Sequence, residues 1–127
     1  MAKILVADDD PPLRELVKDV LEMDGHDVLS VDSGELVIPA LQKERPDLLI
    51  LDVMLPELDG LALQETISKD KELRRIPVVV ITAQTAFLTH FKKFEQVKAR
   101  LSKPFSNQVL MSTVRAILER LKHHPIH

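Results

Sequence analysis

Carboxylates directly follow two short apolar runs in the first half of the chain. They are Asp8, Asp9, Asp10 and Asp52. Clustered carboxylates raise one another's pKa unless a cation neutralises them, and hard oxygen ligands with room for water favour Mg²⁺. A lone aspartate after a strand is usually a cap or turn residue, so these acids indicate chemistry only if the fold brings them to one point.

Thr82 and Lys103 follow two further apolar runs in the second half of the chain. A carboxylate beside a divalent cation, an ammonium and a hydroxyl can act as a nucleophile towards a phosphoryl group, because the cation and the ammonium stabilise charge on the transferring oxygens. Neither residue is informative alone. Their placement with the acids, at the ends of successive runs, favours a phosphoryl-transfer site.

The elements that must position these residues are strands alternating with helices. Continuous apolar runs without polar alternation suit strands covered on both faces of a parallel sheet. The strong runs are 3–7, 47–51 and 77–81, and the weaker ones are 26–31 and 99–102. Helical stripes follow each run, at 13–21, 35–45, 61–69, 87–94 and 110–121. The pattern is β-α five times, which predicts right-handed crossovers and a parallel sheet with helices on both faces.

Local signals predict where two of these helices begin and end. Asp10 can cap the first helix, with Pro11 or Pro12 in its first turn. Gly25, just past this stripe, is predicted to end the helix. Pro39 falls inside the second stripe and predicts a kink or a late start, because proline lacks the backbone N–H and clashes with the preceding turn.

Length and composition limit the class of protein. The chain has 127 residues, which corresponds to one domain, and 45% of them are apolar. It has no cysteine, which excludes thiolate metal sites and thiol nucleophiles, and it has neither Trp nor Tyr, which disfavours base stacking. No apolar run approaches the roughly 20 residues that span a bilayer, and the N-terminus is not a signal peptide. We therefore expect a soluble cytoplasmic protein.

The sequence resembles the receiver domain of two-component response regulators, of the chemotaxis type, over nearly its whole length. The matching motifs are Ile4–Pro11, Pro46–Gly60, Ile76–Ala83 and Ser102–Phe105. The resemblance implies a flavodoxin-like fold, a doubly wound five-stranded parallel sheet of order 2-1-3-4-5 with helices on both faces. We expect this receiver domain to span 1–122, followed by a disordered tail at 123–127.

The resemblance also implies a phosphoacceptor and a metal site. Asp52 would take a phosphoryl group from a histidine kinase or a phosphotransfer protein. Asp8 and Asp9 would hold Mg²⁺ together with Asp52 and the backbone carbonyl of Met54. The domain would catalyse only its own phosphorylation and dephosphorylation, so it would not be an enzyme acting on a separate substrate.

Two further roles follow from the same resemblance. Thr82 would bind a phosphoryl oxygen and report its arrival. Lys103 would contact the phosphoryl group, and the Lys103–Pro104 peptide bond is expected to be cis, a geometry that only about one X–Pro bond in twenty adopts.

Two departures from the family pattern lie among the residues expected to respond to phosphorylation, and not among those that carry out the chemistry. Arg100 stands where the family usually has Tyr or Phe, and Gln96-Val97 stands where it usually has Gly-Ala. Because burying an unpaired guanidinium is costly, Arg100 should stay at the surface, with its stem packed and its head in water. Nearby bases would make this side basic and favour a partner docked by charge; they are Lys92, Lys93 and Lys98.

Two other functions are compatible with parts of the pattern. An aspartyl phosphatase of the haloacid dehalogenase type also uses Asp, Mg²⁺, Thr or Ser, and Lys, but its Asp-x-Asp signature follows the first strand, and here Met54 is the second neighbour of Asp52. A receiver-like interaction module that is never phosphorylated is the other alternative, and the complete set of acids, Thr and Lys argues against it.

The expected partners are proteins. Without a DNA-binding domain, the chain would signal to an unknown downstream protein by contact, unless it is cut from a longer regulator. We expect neither direct nucleic-acid binding nor membrane binding, and either a monomer or a phosphorylation-dependent dimer.

Overall fold

The computed structural model describes residues 2–56 and 58–123, with side chains as far as Leu121. The strands are β1 (Lys3–Ala7), β2 (Asp27–Val31), β3 (Leu48–Asp52), β4 (Val78–Thr82) and β5 (Val97–Ser102). The helices are α1 (Pro11–Met23), α2 (Val37–Glu44), α3 (Gly60–Lys69) and α4 (Asn107–His123). Two short 3₁₀ turns occupy Gly34–Leu36 and Leu73–Arg75, and a longer 3₁₀ segment occupies Thr85–Phe91.

The five strands form one parallel sheet in the order β2-β1-β3-β4-β5. This confirms the predicted fold class and strand order. The chain order reverses between β1 and β3, so β1 has β2 on one side and β3 on the other. In sheets of this type the crevice beyond the carboxyl ends of the strands at such a reversal is where ligands bind.

The strands are apolar throughout because they face two cores. Alternate side chains of a strand point to opposite faces of a sheet. Ile4 of β1 packs with α1 and α4 on one face, whereas Leu5 packs with α2, α3 and Phe91 on the other. β3 follows the same alternation, and all five of its residues are buried. This double coverage explains the unbroken apolar runs of the sequence.

Helix boundaries agree with most of the local signals. Asp10 is the N-cap residue of α1, but its side chain makes no capping hydrogen bond, so that part of the prediction is wrong. The proline ring at the start of α1 fixes the backbone there instead. Pro39 is the third residue of α2, where no intrahelical N–H bond is lost, and this is the predicted late start. Gly25 has φ +90° just beyond α1, a conformation that favours glycine.

The crossover between β4 and β5 differs from the prediction of an α-helix. Residues Thr85–Phe91 form a 3₁₀ helix, and Phe91 is its buried residue, while Phe87 remains 43% exposed. Gln84, at its start, makes no side-chain capping bond, and β-branched and aromatic residues within the segment have low helix propensity. A short stretch anchored by a single buried side chain gains little from packing an α-helical face.

The C-terminal helix extends one residue beyond the predicted end of the domain. α4 continues to His123, the first residue of the predicted tail, and the rest of that tail, 124–127, lies outside the described residues. In the part of the chain that the structure describes, no helix combines the length and the apolar character needed to cross a membrane.

Candidate functional site

The candidate site lies where β1, β3 and β5 end. β1 and β3 are hydrogen-bonded neighbours with Ala7 opposite Leu51, so Asp8 and Asp52 leave the sheet side by side. On the other side of β3, β4 holds Thr82 opposite Ser102 of β5. The N–H of Lys103 donates to the carbonyl of Thr82 at 2.8 Å, which brings the lysine back to the same edge.

A single ammonium bridges two of the predicted carboxylates. Lys103 Nζ lies 2.7 Å from Asp52 Oδ2 and 2.8 Å from Asp8 Oδ2. The second oxygen of each acid accepts a backbone N–H, with Met54 donating to Asp52 Oδ1 at 2.8 Å and Asp10 donating to Asp8 Oδ1 at 2.9 Å. These contacts hold both carboxylates in fixed orientations.

Burial sets the electrostatics of this cluster. Asp8 is fully buried and Asp52 is 3% exposed. Burial is the largest influence on Asp8 and raises the pKa of its carboxyl, although the Lys103 ammonium and the Asp10 N–H act in the opposite direction. Burial lowers the pKa of Lys103, but its contacts with Asp52 and Asp8 outweigh this, and the pKa of Lys103 is raised overall. Lys103 is therefore held as a cation.

The donor set fits a divalent cation. Carboxylate oxygens of Asp8, Asp9 and Asp52 all lie within 4.8 Å of one another, and Asp9 is exposed at the mouth of the cluster. Among the described residues, Asp8 Oδ2 receives no aligned hydrogen bond, although the Lys103 ammonium is near it. Three carboxylates and one ammonium leave excess negative charge, and all-oxygen ligands with solvent access on one side suit Mg²⁺.

The loop after β3 is positioned by a close approach of α3. Gly60 opens α3, and a Cβ at this position would lie 2.6 Å from the carbonyl oxygen of Val53. Only glycine allows the helix to begin this close to the residue that follows Asp52. Asp59 caps the helix by accepting the N–H of Ala62 at 3.0 Å. The loop that carries Met54 is thus fixed at both ends.

Thr82 lies at the same edge of the sheet, at the end of β4. It is fully buried, and its Oγ1 accepts the N–H of Gln84 at 3.0 Å. In the described residues no hydrogen bond joins its side chain to Asp52 or Lys103. A hydroxyl that accepts one bond still has a hydrogen to donate, so Thr82 can offer a donor to a group bound on Asp52. The Lys103–Pro104 peptide bond beside it is cis.

The two departures from the family pattern have defined structural roles. Arg100 is exposed, and its Nη1 donates to the carbonyl of Leu88 in the 3₁₀ segment at 3.2 Å. Gln96 is buried, and its Nε2 donates to the carbonyls of Leu73 and Ile76 at 2.7 and 2.8 Å. At a position where the family usually has glycine, this chain therefore has a buried side chain that binds two backbone carbonyls.

Arg14 beside the site and Gln64 at the other end of the sheet have no clear signal in the sequence. Arg14 of α1 donates to the backbone carbonyl of Asp8 at 2.8 Å and braces the turn that carries the acids. Gln64 of α3 is fully buried and donates to Gln96 Oε1 at 3.0 Å. Arginine and glutamine on helices are usually solvent-exposed, so nothing in their spacing marks them. Their roles depend on contacts between elements distant in sequence.

Comparison with known proteins assigns this arrangement to a family. Residues 4–115 match the family model described as the response regulator receiver domain. The chain belongs to this family. This match confirms the resemblance to receiver domains that the motifs indicated. It gives no support to the alternative of an aspartyl phosphatase.

Individual relatives of this receiver domain support the same assignment. The chain is 30% identical to PilH of Pseudomonas aeruginosa over 93% of this chain and 98% of PilH. It is 34% identical to RpaA of Synechocystis, a DNA-binding dual master transcriptional regulator, and spans about half of that protein (98% of this chain, 52% of RpaA). The crystal structure of a putative response regulator from Chloroflexus aurantiacus superposes with a TM-score of 0.86 at 31% identity, covering 94% of this chain and 98% of that one.

Proposed function

We propose that Asp52 of this receiver domain accepts a phosphoryl group from the phosphohistidine of a histidine kinase or a phosphotransfer protein. The observation that carries the proposal is the position of the Asp52 carboxylate. It is 3% exposed, oriented by the Met54 N–H, paired with the Lys103 ammonium and grouped with two further acids that fit a divalent cation. Asp9, by contrast, is exposed, and no hydrogen bond from the residues that the structure describes reaches its carboxylate.

The reaction is a transfer between two protein side chains. An oxygen of Asp52 attacks phosphorus, the P–N bond to the donor imidazole breaks, and the leaving nitrogen keeps the electron pair and takes up a proton. Water later hydrolyses the aspartyl phosphate and restores the carboxylate. The domain would thus catalyse its own phosphorylation and dephosphorylation, and no separate substrate would be turned over.

The cation site contributes charge. We propose that Mg²⁺ is held by Asp8, Asp9 and Asp52 with the backbone carbonyl of Met54, and that it neutralises charge on the phosphoryl oxygens when bound. Asp8 Oδ2 faces the Lys103 ammonium at 2.8 Å, and because a carboxylate oxygen has more than one lone pair it can also ligate a cation. Asp9 lies at the mouth of the cluster, where a cation would keep part of its water shell.

Lys103 and Thr82 supply two kinds of donor. The Lys103 ammonium already touches Asp52 and Asp8, so it can follow a phosphoryl oxygen when negative charge develops there. The Thr82 hydroxyl can donate to another phosphoryl oxygen. Since its Oγ1 also binds the N–H of Gln84, a movement of Thr82 would pull on the start of the 3₁₀ segment.

The proposal is tested by covalent labelling. Incubation with acetyl phosphate and Mg²⁺ should add one phosphoryl group, seen as a single mass increase by intact-protein mass spectrometry. Asp52→Asn should abolish the increase, whereas Asp32→Asn, at an exposed acid beyond β2, should leave it unchanged. Undiminished labelling of the Asp52→Asn protein would refute the assignment. A protein that never labels would instead be the interaction module that works without phosphorylation.

A further inference from the structure

The outer edge of β2 is open. Among the residues that the structure describes, β2 is the last strand on its side of the sheet and pairs only with β1. Ser30, in the middle of the strand, is exposed. Leu29 and Val31 pack only partly against the core on the α2 face, whereas every residue of β3 is buried. The edge therefore leaves apolar surface that a further strand would cover.

Backbone groups on this edge are available for pairing. Residues of a parallel strand bond alternately to one side and the other. Asp27, at the start of β2, donates its N–H to the carbonyl of Ala2 at 2.8 Å, so Asp27 and every second residue after it face β1. The N–H and C=O groups of Val28 and Ser30 point away from β1, and in the ranges 2–56 and 58–123 no hydrogen bond reaches them. An edge with unpaired N–H and C=O groups is a template for an additional strand.

The part of the chain that forms this edge is strongly acidic. Between Lys18 and Lys43 it contains six acidic residues and neither Lys nor Arg. One of them, Asp24, pairs with the Arg115 guanidinium. The other five are exposed and form no ion pair with a side chain that the structure describes; they are Asp19, Glu22, Asp27, Asp32 and Glu35. Their negative charge is left to solvent, and two of these acids lie at the two ends of β2.

This charge pattern selects among possible occupants. A second copy pairing edge to edge would bring Asp27 and Asp32 against the same acids of its partner, because a two-fold contact repeats the same patch on both sides. Like charges placed opposite each other destabilise a strand pair. A segment rich in Lys or Arg would meet opposite charge along the whole edge. The acids thus oppose self-pairing and favour a basic strand.

We propose that the outer edge of β2 binds an extended, basic segment of a partner protein, which adds a strand to the sheet. The cationic side chains of the segment pair with Asp27, Asp32 and the exposed acids of α1. Its alternate apolar side chains cover Leu29 and Val31. The contact does not require phosphorylation of Asp52, so it can be tested independently of the proposed function.

The probe is a fluorescein-labelled peptide of four Lys-Val repeats, in which a strand conformation places all Lys on one face and all Val on the other. Its control is the same peptide with every backbone nitrogen methylated, which keeps the charges and removes the N–H donors. By fluorescence anisotropy, the first peptide should bind saturably and more weakly as salt rises, because exposed charges are screened within about 10 Å at 0.1 M ionic strength. The methylated peptide should bind roughly tenfold more weakly, since it cannot donate hydrogen bonds to the edge.

Charge reversal at the two ends of β2 tests where the peptide binds. Asp27→Lys combined with Asp32→Lys should weaken binding roughly tenfold, since two exposed charge pairs become repulsive. Both side chains are exposed, so the fold should be unaffected. The matched control is Glu72→Lys combined with Glu95→Lys, the same charge change at two exposed acids that precede β4 and β5. It should bind like the unaltered protein, as should Asp52→Asn.

Amide exchange shows whether the bound peptide pairs with the strand. Exchange at Val28 and Ser30 should slow when the unmethylated peptide is bound. The proposal is overturned if that peptide does not bind, if the protein altered at Asp27 and Asp32 binds it equally well, or if the control substitutions weaken binding to the same extent. Equal binding of the methylated peptide would reduce the contact to charge attraction and overturn the added strand. Self-association in analytical ultracentrifugation that the substitutions in β2 relieve would assign the edge to a second copy and also overturn the proposal.

Discussion

The acid cluster and the 3₁₀ segment Thr85–Phe91 both follow the carboxyl ends of strands but are held in different ways. In the cluster, Asp8, Asp52 and Thr82 are buried at the ends of three central strands. In the crossover, Phe91 alone is buried among residues 85–91, and Arg100 reaches the segment through one exposed hydrogen bond. The core of the sheet therefore holds the residues of the acid cluster in place. The 3₁₀ segment is held by one buried side chain and one exposed hydrogen bond.

The sharpest test of this difference uses two phenylalanines of the crossover. Phe91→Ala should lower the free energy of unfolding by about 3–5 kcal/mol, because it removes a fully buried aromatic ring. Phe87→Ala should cost less than about 1 kcal/mol, since its ring is 43% exposed. Urea unfolding followed by circular dichroism gives both values. Equal losses would mean that the whole segment is packed and that the contrast with the acid cluster is wrong.

A second test addresses the cluster itself. Asp9→Asn should weaken Mg²⁺ binding by about 10- to 100-fold, the scale of effect that losing a supporting group at a metal site has. The metal-free protein should be no less stable, because removing one of three neighbouring carboxylates relieves repulsion. Isothermal titration with MgCl₂ and unfolding in EDTA measure the two quantities, with Asp32→Asn as the matched control. If Asp9→Asn retains the original affinity, the metal site has been misplaced.

The smallest effect is expected at the opposite end of the sheet, where an exposed ion pair joins two helices. Asp24, the C-cap residue of α1, accepts two bonds from the Arg115 guanidinium of α4, and these contacts hold the pKa of Asp24 below its usual value. A lowered carboxyl pKa stabilises the fold above the pKa of the unfolded chain, and the gain is lost as pH falls through the folded value.

Arg115→Gln should therefore reduce stability slightly near neutral pH. The difference between the two proteins should begin to shrink as pH falls below about 4, the ordinary pKa of an aspartate in the unfolded chain, and should vanish once Asp24 of the folded protein is also protonated. Urea unfolding across this range measures it. A difference that stays constant with pH would show that Arg115 acts through packing rather than through the Asp24 charge.

Most of the fold could be predicted because its signals are local. The strand runs end in Asp8, Asp52 and Thr82, and parallel strands bring their carboxyl ends together whatever the details of packing. The sheet order and the receiver family followed from a resemblance that extends over nearly the whole chain and rests on four short motifs. The individual roles of the site residues stay predictions until labelling and metal binding are measured.

The parts that could not be predicted depend on contacts between distant segments. The 3₁₀ segment has the apolar spacing of a helix at Phe87 and Phe91, but spacing does not reveal how few neighbours its face meets. Gln64 and Gln96 are polar residues that pair inside the protein, and their burial arises only when α3 and the start of β5 are brought together. Arg14 braces the Asp8 backbone for the same reason.

The alternation of strand residues between two cores constrains how this chain can tolerate insertions and deletions. One extra residue within β3 would turn its side chains to the opposite faces, exchanging residues such as Leu49 and Ile50 between the two helix layers. The same slip would rotate the Asp52 carboxylate away from Lys103. A single insertion in β3 would therefore damage both folding and chemistry. Insertions and deletions should be tolerated in the loops at the far end of the sheet and not within the strands.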